Sequence, residues 1–292
     1  MKLLYGGFAT QEELDREYNA EKSVPDFGAC VAHFLDSSVA ARASLPHRTD
    51  VPYGPTKAES ANIFPATAPG SPVLVFLHGG YWKALTAHAF DMVAPGPVAA
   101  GYAVVNVTYA LCPAVTITEI VRQARAAIAW THRHATSFNG DPDRIYVAGH
   151  SAGGHLVTMA VLTEWEEEYG LPDNLIKGGI PISGLFDLRP FPATFLQPKL
   201  RLSAEDVERN SPLFHVRPAS TPLVVAWGGA ESGSFRKQSL DFLSAWRATG
   251  NAGEALPIEG AHHYMVLDGF MTADGLMTRT LEAMRQKVER GT

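Results

Sequence analysis

Between residues 73 and 258 the chain alternates short, mainly apolar runs, wholly apolar at 73–77, with longer segments whose apolar positions recur every three or four residues. The runs at 73–77, 102–108, 144–148, 176–182 and 223–227, with a shorter one at 255–258, have strand length and are rich in β-branched residues. Continuous apolarity, rather than strict alternation, is what a strand shows when helices cover both its faces. The periodic segments at 86–100, 117–138, 152–165, 234–249 and 275–289 predict helices between and after these strands. Such alternation predicts an α/β chain built on a mostly parallel sheet with right-handed crossovers.

Two stretches stand outside the alternation. Residues 1–50 predict two helices, at 10–18, where Thr10 is the N-cap and Glu13 completes a capping box, and at 28–44. A turn at Tyr53-Gly54-Pro55 and a short strand at 61–64 follow. This N-terminal segment holds too few apolar residues to bury a core alone and is expected to cap the sheet. Residues 188–220 contain several prolines and one short amphipathic piece near 203–209, the pattern of a lid-like insertion. Length permits two average domains, but with no internal repeat the expectation is one domain over 1–292.

The run at 144–148 leads into Gly149-His150-Ser151-Ala152-Gly153, after which apolar helical periodicity begins. Gly-x-Ser-x-Gly between a strand and a helix is the signature of a sharp turn that lifts a serine oxygen above the sheet. Ser151 is therefore the candidate nucleophile. Directly after the run at 73–77 comes His78-Gly79-Gly80-Tyr81-Trp82. Glycines at a strand exit let backbone N–H groups turn inward, so Gly80 and Tyr81, with Ala152 at the helix start, are the candidate oxyanion-hole donors. Tyr81 and Trp82 are expected to line the substrate pocket.

A serine hydroxyl is almost fully protonated at neutral pH and needs a base, which in turn needs an orienting carboxylate. Glu231 follows the strand at 223–227, and His262 and His263 lie in the next strand-to-helix loop, so the order along the chain is serine, acid, histidine. Asp187 and Glu259 compete with Glu231 as the acid; Asp187 reads as a turn or lid-anchoring residue and Glu259 as a loop-surface group. His263 is preferred over His262 because it directly precedes an aromatic and apolar run. His150 and His155 are expected to pack around the nucleophile turn, and His132 and His134 to occupy a polar helix face.

Composition narrows the chemistry further. A net charge of −6, with no acidic block longer than Glu166-Glu167-Glu168, recommends neither nucleic acid nor an anionic membrane as partner. No run of about eighteen apolar residues and no secretory leader pattern is seen. Cys30 and Cys112 lack metal or redox spacing, so they are expected to be free thiols in a reducing, cytoplasmic setting. No metal-binding, phosphate-binding or dinucleotide motif is present, so no cofactor is expected. The sequon Asn106-Val107-Thr108 falls in a predicted buried strand and is dismissed. Acyl transfer to water through an acyl-serine is the chemistry these residues permit.

Five stretches give the chain its resemblance to the α/β-hydrolase superfamily, and within it to the arylformamidase (kynurenine formamidase) branch, near the hormone-sensitive-lipase-like esterases. They are Leu14-Asp15-Arg16-Glu17-Tyr18 with Val24-Pro25-Asp26; Val51-Pro52-Tyr53-Gly54 before Ile63-Phe64-Pro65; the His78 to Trp82 loop; the Ser151 motif with His155-Leu156; and Glu231-Ser232-Gly233-Ser234-Phe235 with Gln238-Ser239. The resemblance implies hydrolysis of an N-formyl or related acyl amide of an aromatic amine, with N-formylkynurenine as prototype. Two residues depart from the family pattern: Glu231 stands where animal members use aspartate, and Asn62 where aspartate is common, a change expected to affect a turn. The alternatives are a broad carboxylesterase acting on short acyl esters, and a non-catalytic hydrolase-like binding protein. The sequence leaves the oligomeric state open.

Overall fold

A computed structural model describes residues 4–291. The chain begins with helices α1 (Gln11–Tyr18) and α2 (Phe27–Ser44), then strands β1 (Arg48–Pro52), β2 (Ser60–Phe64) and β3 (Ser71–Leu77). A short helix α3 (Pro95–Ala99) precedes β4 (Ala103–Thr108); α4 (Ile117–His134), β5 (Gly140–His150), α5 (Ala152–Val161), α6 (Trp165–Tyr169) and β6 (Ile176–Ile182) follow. Helices α7 (Gln197–Leu200) and α8 (Ala204–Arg209) lie in the insertion before β7 (Leu223–Gly228), and α9 (Gly233–Ala248), β8 (Gly253–Ile258) and α10 (Leu276–Arg290) complete the chain.

The eight strands form one sheet in the order β1-β2-β4-β3-β5-β6-β7-β8. Pairing is antiparallel for β1 with β2 and β2 with β4, and parallel from β4 through β8. The central strand explains the two-layered core. Val73, Val75 and Leu77 of β3 pack into one cluster with Ile120 and Ile128 of α4, Leu156 of α5 and Phe242 of α9. The intervening Leu74 and Phe76 face the other way, with Phe34 of α2 and Met277 and Leu281 of α10. Every residue of β3 is buried, which is why its sequence shows no polar position after Ser71, whose hydroxyl donates to the Ala68 carbonyl at 2.7 Å. Each such apolar side chain removed from water contributes roughly 1.5–3 kcal/mol.

The expected helix at 86–100 is instead two 3₁₀ turns and the five-residue α3. Two physical reasons account for this. Pro95 and Pro97 have no N–H to donate to the preceding turn. The carbonyls of Ala87 and His88 are taken by the side chains of Asn106, at 2.8 Å, and Arg42, at 2.9 Å. Asn62 touches more than a turn: its Oδ1 accepts the N–H of Asp50, which has φ 54°, at 3.1 Å. Asn62 is buried in β2, and its amide donates to Asp91 Oδ2 at 2.8 Å, beside Arg42 Nη1 at 2.5 Å on the same oxygen and Asn106 Nδ2 at 2.9 Å on the other. The helix expected over 152–165 ends at Val161, and a separate helix starts at Trp165. Among the described residues no helix is long and apolar enough to cross a membrane.

Candidate active site

The loops that follow β3, β5, β6, β7 and β8 leave the same edge of the sheet, because these strands run parallel. That carboxyl edge is where open α/β sheets gather their functional groups. It brings together the His78 loop, Ser151, Ser183, Glu231 and His263, residues separated by up to about 185 positions of sequence.

Ser151 has φ 57° and ψ −116°, a conformation that costs free energy for a residue with a side chain and is held by its surroundings. Its N–H donates to the carbonyl of Ile182 at 2.8 Å. The turn closes so tightly against β3 that a Cβ on Gly153 would lie 1.8 Å from the carbonyl oxygen of Leu77, and one on Gly149 would lie 2.4 Å from that of Gly153. The two glycines of the motif are therefore steric requirements of the turn. Helix α5 starts at once, so the N–H of Ala152 has no acceptor among the described residues.

In the loop after β3, Gly80 has φ 110°, and Tyr81 and Trp82 have φ 50° and 55°. The N–H groups of Gly80 and Tyr81 likewise find no acceptor among the described residues, while the Gly80 carbonyl closes the loop by accepting from Lys83 and Ala84. His78 supports this strained loop from beneath. Its ring is stacked on Tyr109 at 4.1 Å, and its Nδ1–H donates to the Gly79 carbonyl at 2.6 Å. Burial pushes the His78 pKa down to about 4, so the ring is neutral.

Glu231 and His263 are joined. The Nδ1–H of His263 donates to Glu231 Oε1 at 3.0 Å, and both side chains are almost wholly shielded from water. The same oxygen accepts the hydroxyl of Ser183 at 2.5 Å. The His263 ring lies 4.6 Å from Phe235 and 4.5 Å from His150. His150 donates its Nε2–H to the His263 carbonyl at 2.7 Å, which fixes the backbone of the histidine loop. Burial, and secondarily the neighbouring His263, holds the His150 pKa well below that of a free imidazole. His262 points its Nδ1 at the N–H groups of Tyr264 and Met265, and Glu259 is exposed, so neither takes part. Asp187 is bound to Arg189 and to the Tyr5 hydroxyl at 2.7 Å, an anchor for the N-terminal segment.

Ser151 and His263 line a common cavity of about 180 Å³ whose walls are mainly apolar. One wall is α2, which presents Phe27, Cys30, Val31, Phe34 and Leu35; the others come from Tyr81, Lys83 to Leu85, Phe90 and Tyr264. Tyr81 thus lies where expected, but Trp82 does not. It is fully buried behind the wall, edge-on to Phe191, and donates its Nε1–H to His155 Nδ1 at 3.3 Å. Nε2–H of His155 passes to the Asn210 carbonyl at 2.7 Å, so residues 188–220 brace the loop from the rear. None of the cavity walls comes from that insertion.

Sequence reasoning missed Ser183 and the α2 wall. The i, i+3, i+4, i+7 spacing of Phe27, Cys30, Val31 and Phe34 is the signal that could have revealed the wall. Ser183 carries no local signal. Among the described residues no cluster of three or more His, Cys, Asp or Glu is arranged to hold a metal ion.

Residues 63–180 match the family model BD-FAE. The chain is 27% identical to the kynurenine formamidase of Danio rerio, over 94% of this chain and 96% of the relative. It is 28% identical to esterase LipQ of Mycobacterium tuberculosis, over 82% of this chain and 66% of that protein. A crystal structure from Silicibacter sp. TM1040, provisionally assigned as a thioesterase, superposes with TM-score 0.82 at 28% identity, covering 92% of this chain and 99% of the other.

Proposed function

Because the chain is an α/β-hydrolase of the arylformamidase-like branch, we propose that it hydrolyses an N-formyl or other small acyl amide of an aromatic amine, with Ser151 as nucleophile, His263 as base and Glu231 as orienting acid. The observation that carries this reading is that Ser151 and His263 face one aromatic-walled cavity while His263 Nδ1 is held by Glu231 at 3.0 Å. With its proton committed to Glu231, Nδ1 leaves the lone pair of Nε2 to accept the serine proton as Oγ attacks the carbonyl. The free N–H groups of Ala152, Gly80 and Tyr81 receive the oxyanion, where removal of one donor typically costs about 10²–10³ in turnover. His263 then protonates the departing amine, and the acyl-serine is cleared by water through the same groups in reverse.

Phe27, Phe34, Phe90 and Tyr264 suit a flat aryl group, which favours an anilide-like substrate. The whole-length likeness to a kynurenine formamidase supports the formamide, and the likeness to LipQ supports ester hydrolysis as the second reading. The cytoplasm is the compartment we assign, in keeping with two unpaired cysteines of which Cys112 is buried.

The test is kcat/KM for N-formyl anilides against p-nitrophenyl esters, with fluorophosphonate labelling of the wild type and Ser151→Ala. The expected result is labelling that Ser151→Ala abolishes, together with preference for the formyl amide. A preference for esters selects the second reading. Absence of labelling at Ser151 leaves only a binding protein.

A further inference from the structure

The oxyanion-hole loop follows β3 and the acid loop follows β7, and in the sheet these strands are separated by β5 and β6. Strand pairing therefore does not set the distance between the two loops directly. The N-terminal segment touches both. At the end of α1 the Tyr81 hydroxyl donates to the carbonyl of Tyr18. One residue earlier, the carbonyl of Glu17 accepts the hydroxyl of Ser232 at 2.6 Å, and the Glu17 carboxylate accepts the N–H of Ser234 at 2.9 Å. Ser232 immediately follows Glu231 and is the N-cap of α9, so these contacts hold the acid loop at its root.

Resting on the functional reading above, we propose that Glu17-Tyr18 is a strut that spans the active site and sets the separation of the oxyanion loop from the acid loop, with Glu17, Ser232 and the Tyr81 hydroxyl as positioning residues. The strut is itself rigid. Thr10 and Glu13 close a capping box at the start of α1, and the ring of Tyr18 is fixed 5.1 Å from Phe191 and 6.0 Å from Phe235. Phe235 in turn contacts His263, so displacement of the strut reaches both ends of the relay. Burial raises the Tyr81 pKa far above its ordinary value, so its hydroxyl remains a donor. A carboxylate at Ser234 N–H, in the first turn of α9, also gains from the positive end of that helix.

The experiment compares Tyr81→Phe, Glu17→Ala and Ser232→Ala with the wild type, each rate being divided by the concentration of fluorophosphonate-reactive serine so that unfolded protein does not count. The expected result is a fall in kcat of about 10-fold in each variant with KM changed less than twofold, since small misplacements of reacting groups act on kcat. The Tyr81→Phe, Ser232→Ala double variant should lose less than the product of the single losses, as coupled residues do. Amide hydrogen exchange reads the strut without substrate: Tyr81→Phe should speed exchange at residues 231–235, and Ser232→Ala at residues 78–85. Unchanged kcat per reactive serine, with exchange altered only beside each substitution, overturns the strut. A wild type inert toward every amide and ester overturns the functional reading instead, and the far-end exchange still decides the strut.

Discussion

Ser183 places its hydroxyl 2.5 Å from Glu231 Oε1, the same oxygen that accepts from His263 Nδ1, so one carboxylate oxygen gathers both donors. Ser183 leaves β6 with φ 50°, a left-handed conformation that aims its side chain across to the loop after β7. Replacing it by alanine keeps that backbone and deletes one donor. We expect Ser183→Ala to lower kcat about 10-fold, the scale of one charge-assisted hydrogen bond of roughly 1.5 kcal/mol. Glu231→Gln should cost about 10⁴, because an amide no longer selects the productive imidazole tautomer. Steady-state kinetics on one formyl anilide separate the two.

The turn that carries Ser151 tolerates no added methyl. Gly153→Ala puts a carbon 1.8 Å from a backbone oxygen of β3, where no flexible side chain can give way. Loss of about 4 kcal/mol or more is expected. Urea denaturation should show a collapsed midpoint or no folded baseline, whereas Ser151→Ala should unfold like the wild type.

Three buried histidines make the fold acid-sensitive. His78 and His155 have their pKa values lowered to about 4 by burial, and His150 is lowered in the same sense. In the unfolded chain each binds a proton near pH 6.5, so the unfolded state holds more protons between about pH 6.5 and 4. Stability is complete above that window and falls as pH drops through it. Asp187, whose carboxyl is held below its usual range mainly by Arg189 against the opposing effect of burial, adds a further loss only below about pH 4. Thermal melts from pH 8 to 4 should show the midpoint dropping first below pH 6.5, with the slope reduced in His155→Gln.

Arg42 pins α2 to the segment between β3 and β4 by its contact with Asp91, a carboxylate with no exposure to solvent that Asn62 and Asn106 tie to the sheet. Removing the guanidinium leaves a buried charge without its cation, which typically costs about 3–5 kcal/mol. Arg42→Leu should therefore melt well below the wild type. Because α2 is a cavity wall, KM for aryl substrates should rise in the same variant.

Cavity shape can be probed at Val31, half-buried on the cavity side of α2. Val31→Trp should raise KM for anilides at least 10-fold and leave labelling by a small fluorophosphonate near the wild-type rate. Equal effects on both probes would show that the aryl group binds elsewhere.

The middle of the sheet was legible because its inner parallel strands are buried on both faces, and Val73 to Leu77 therefore shows an unbroken apolar run, whereas the edge strand β8 is largely exposed and left the weaker signal. The pairing of His263 with Glu231 was legible from chain order alone, since this fold places the ends of consecutive strands on one edge. What stayed hidden depends on contacts distant in sequence. The change at Asn62 reads as affecting only a turn until Asp91 and Arg42, from two other segments, are seen around it. The helix over 86–100 fails because Asn106, from the next strand, and Arg42, from α2, capture the carbonyls it needed. Trp82 reads, with Tyr81, as a pocket-lining aromatic, yet its indole N–H is bound to buried His155.

Helix α2 contributes none of Ser151, Glu231 and His263, yet it supplies one whole wall of the cavity that Ser151 and His263 face. On the function proposed above, one large wall for recognition thus lies in a part of the polypeptide separate from the groups that would cleave the bond. A lineage, or a protein engineer, can exchange residues 27 to 35 to admit a different amine or alcohol and leave the reacting centre untouched.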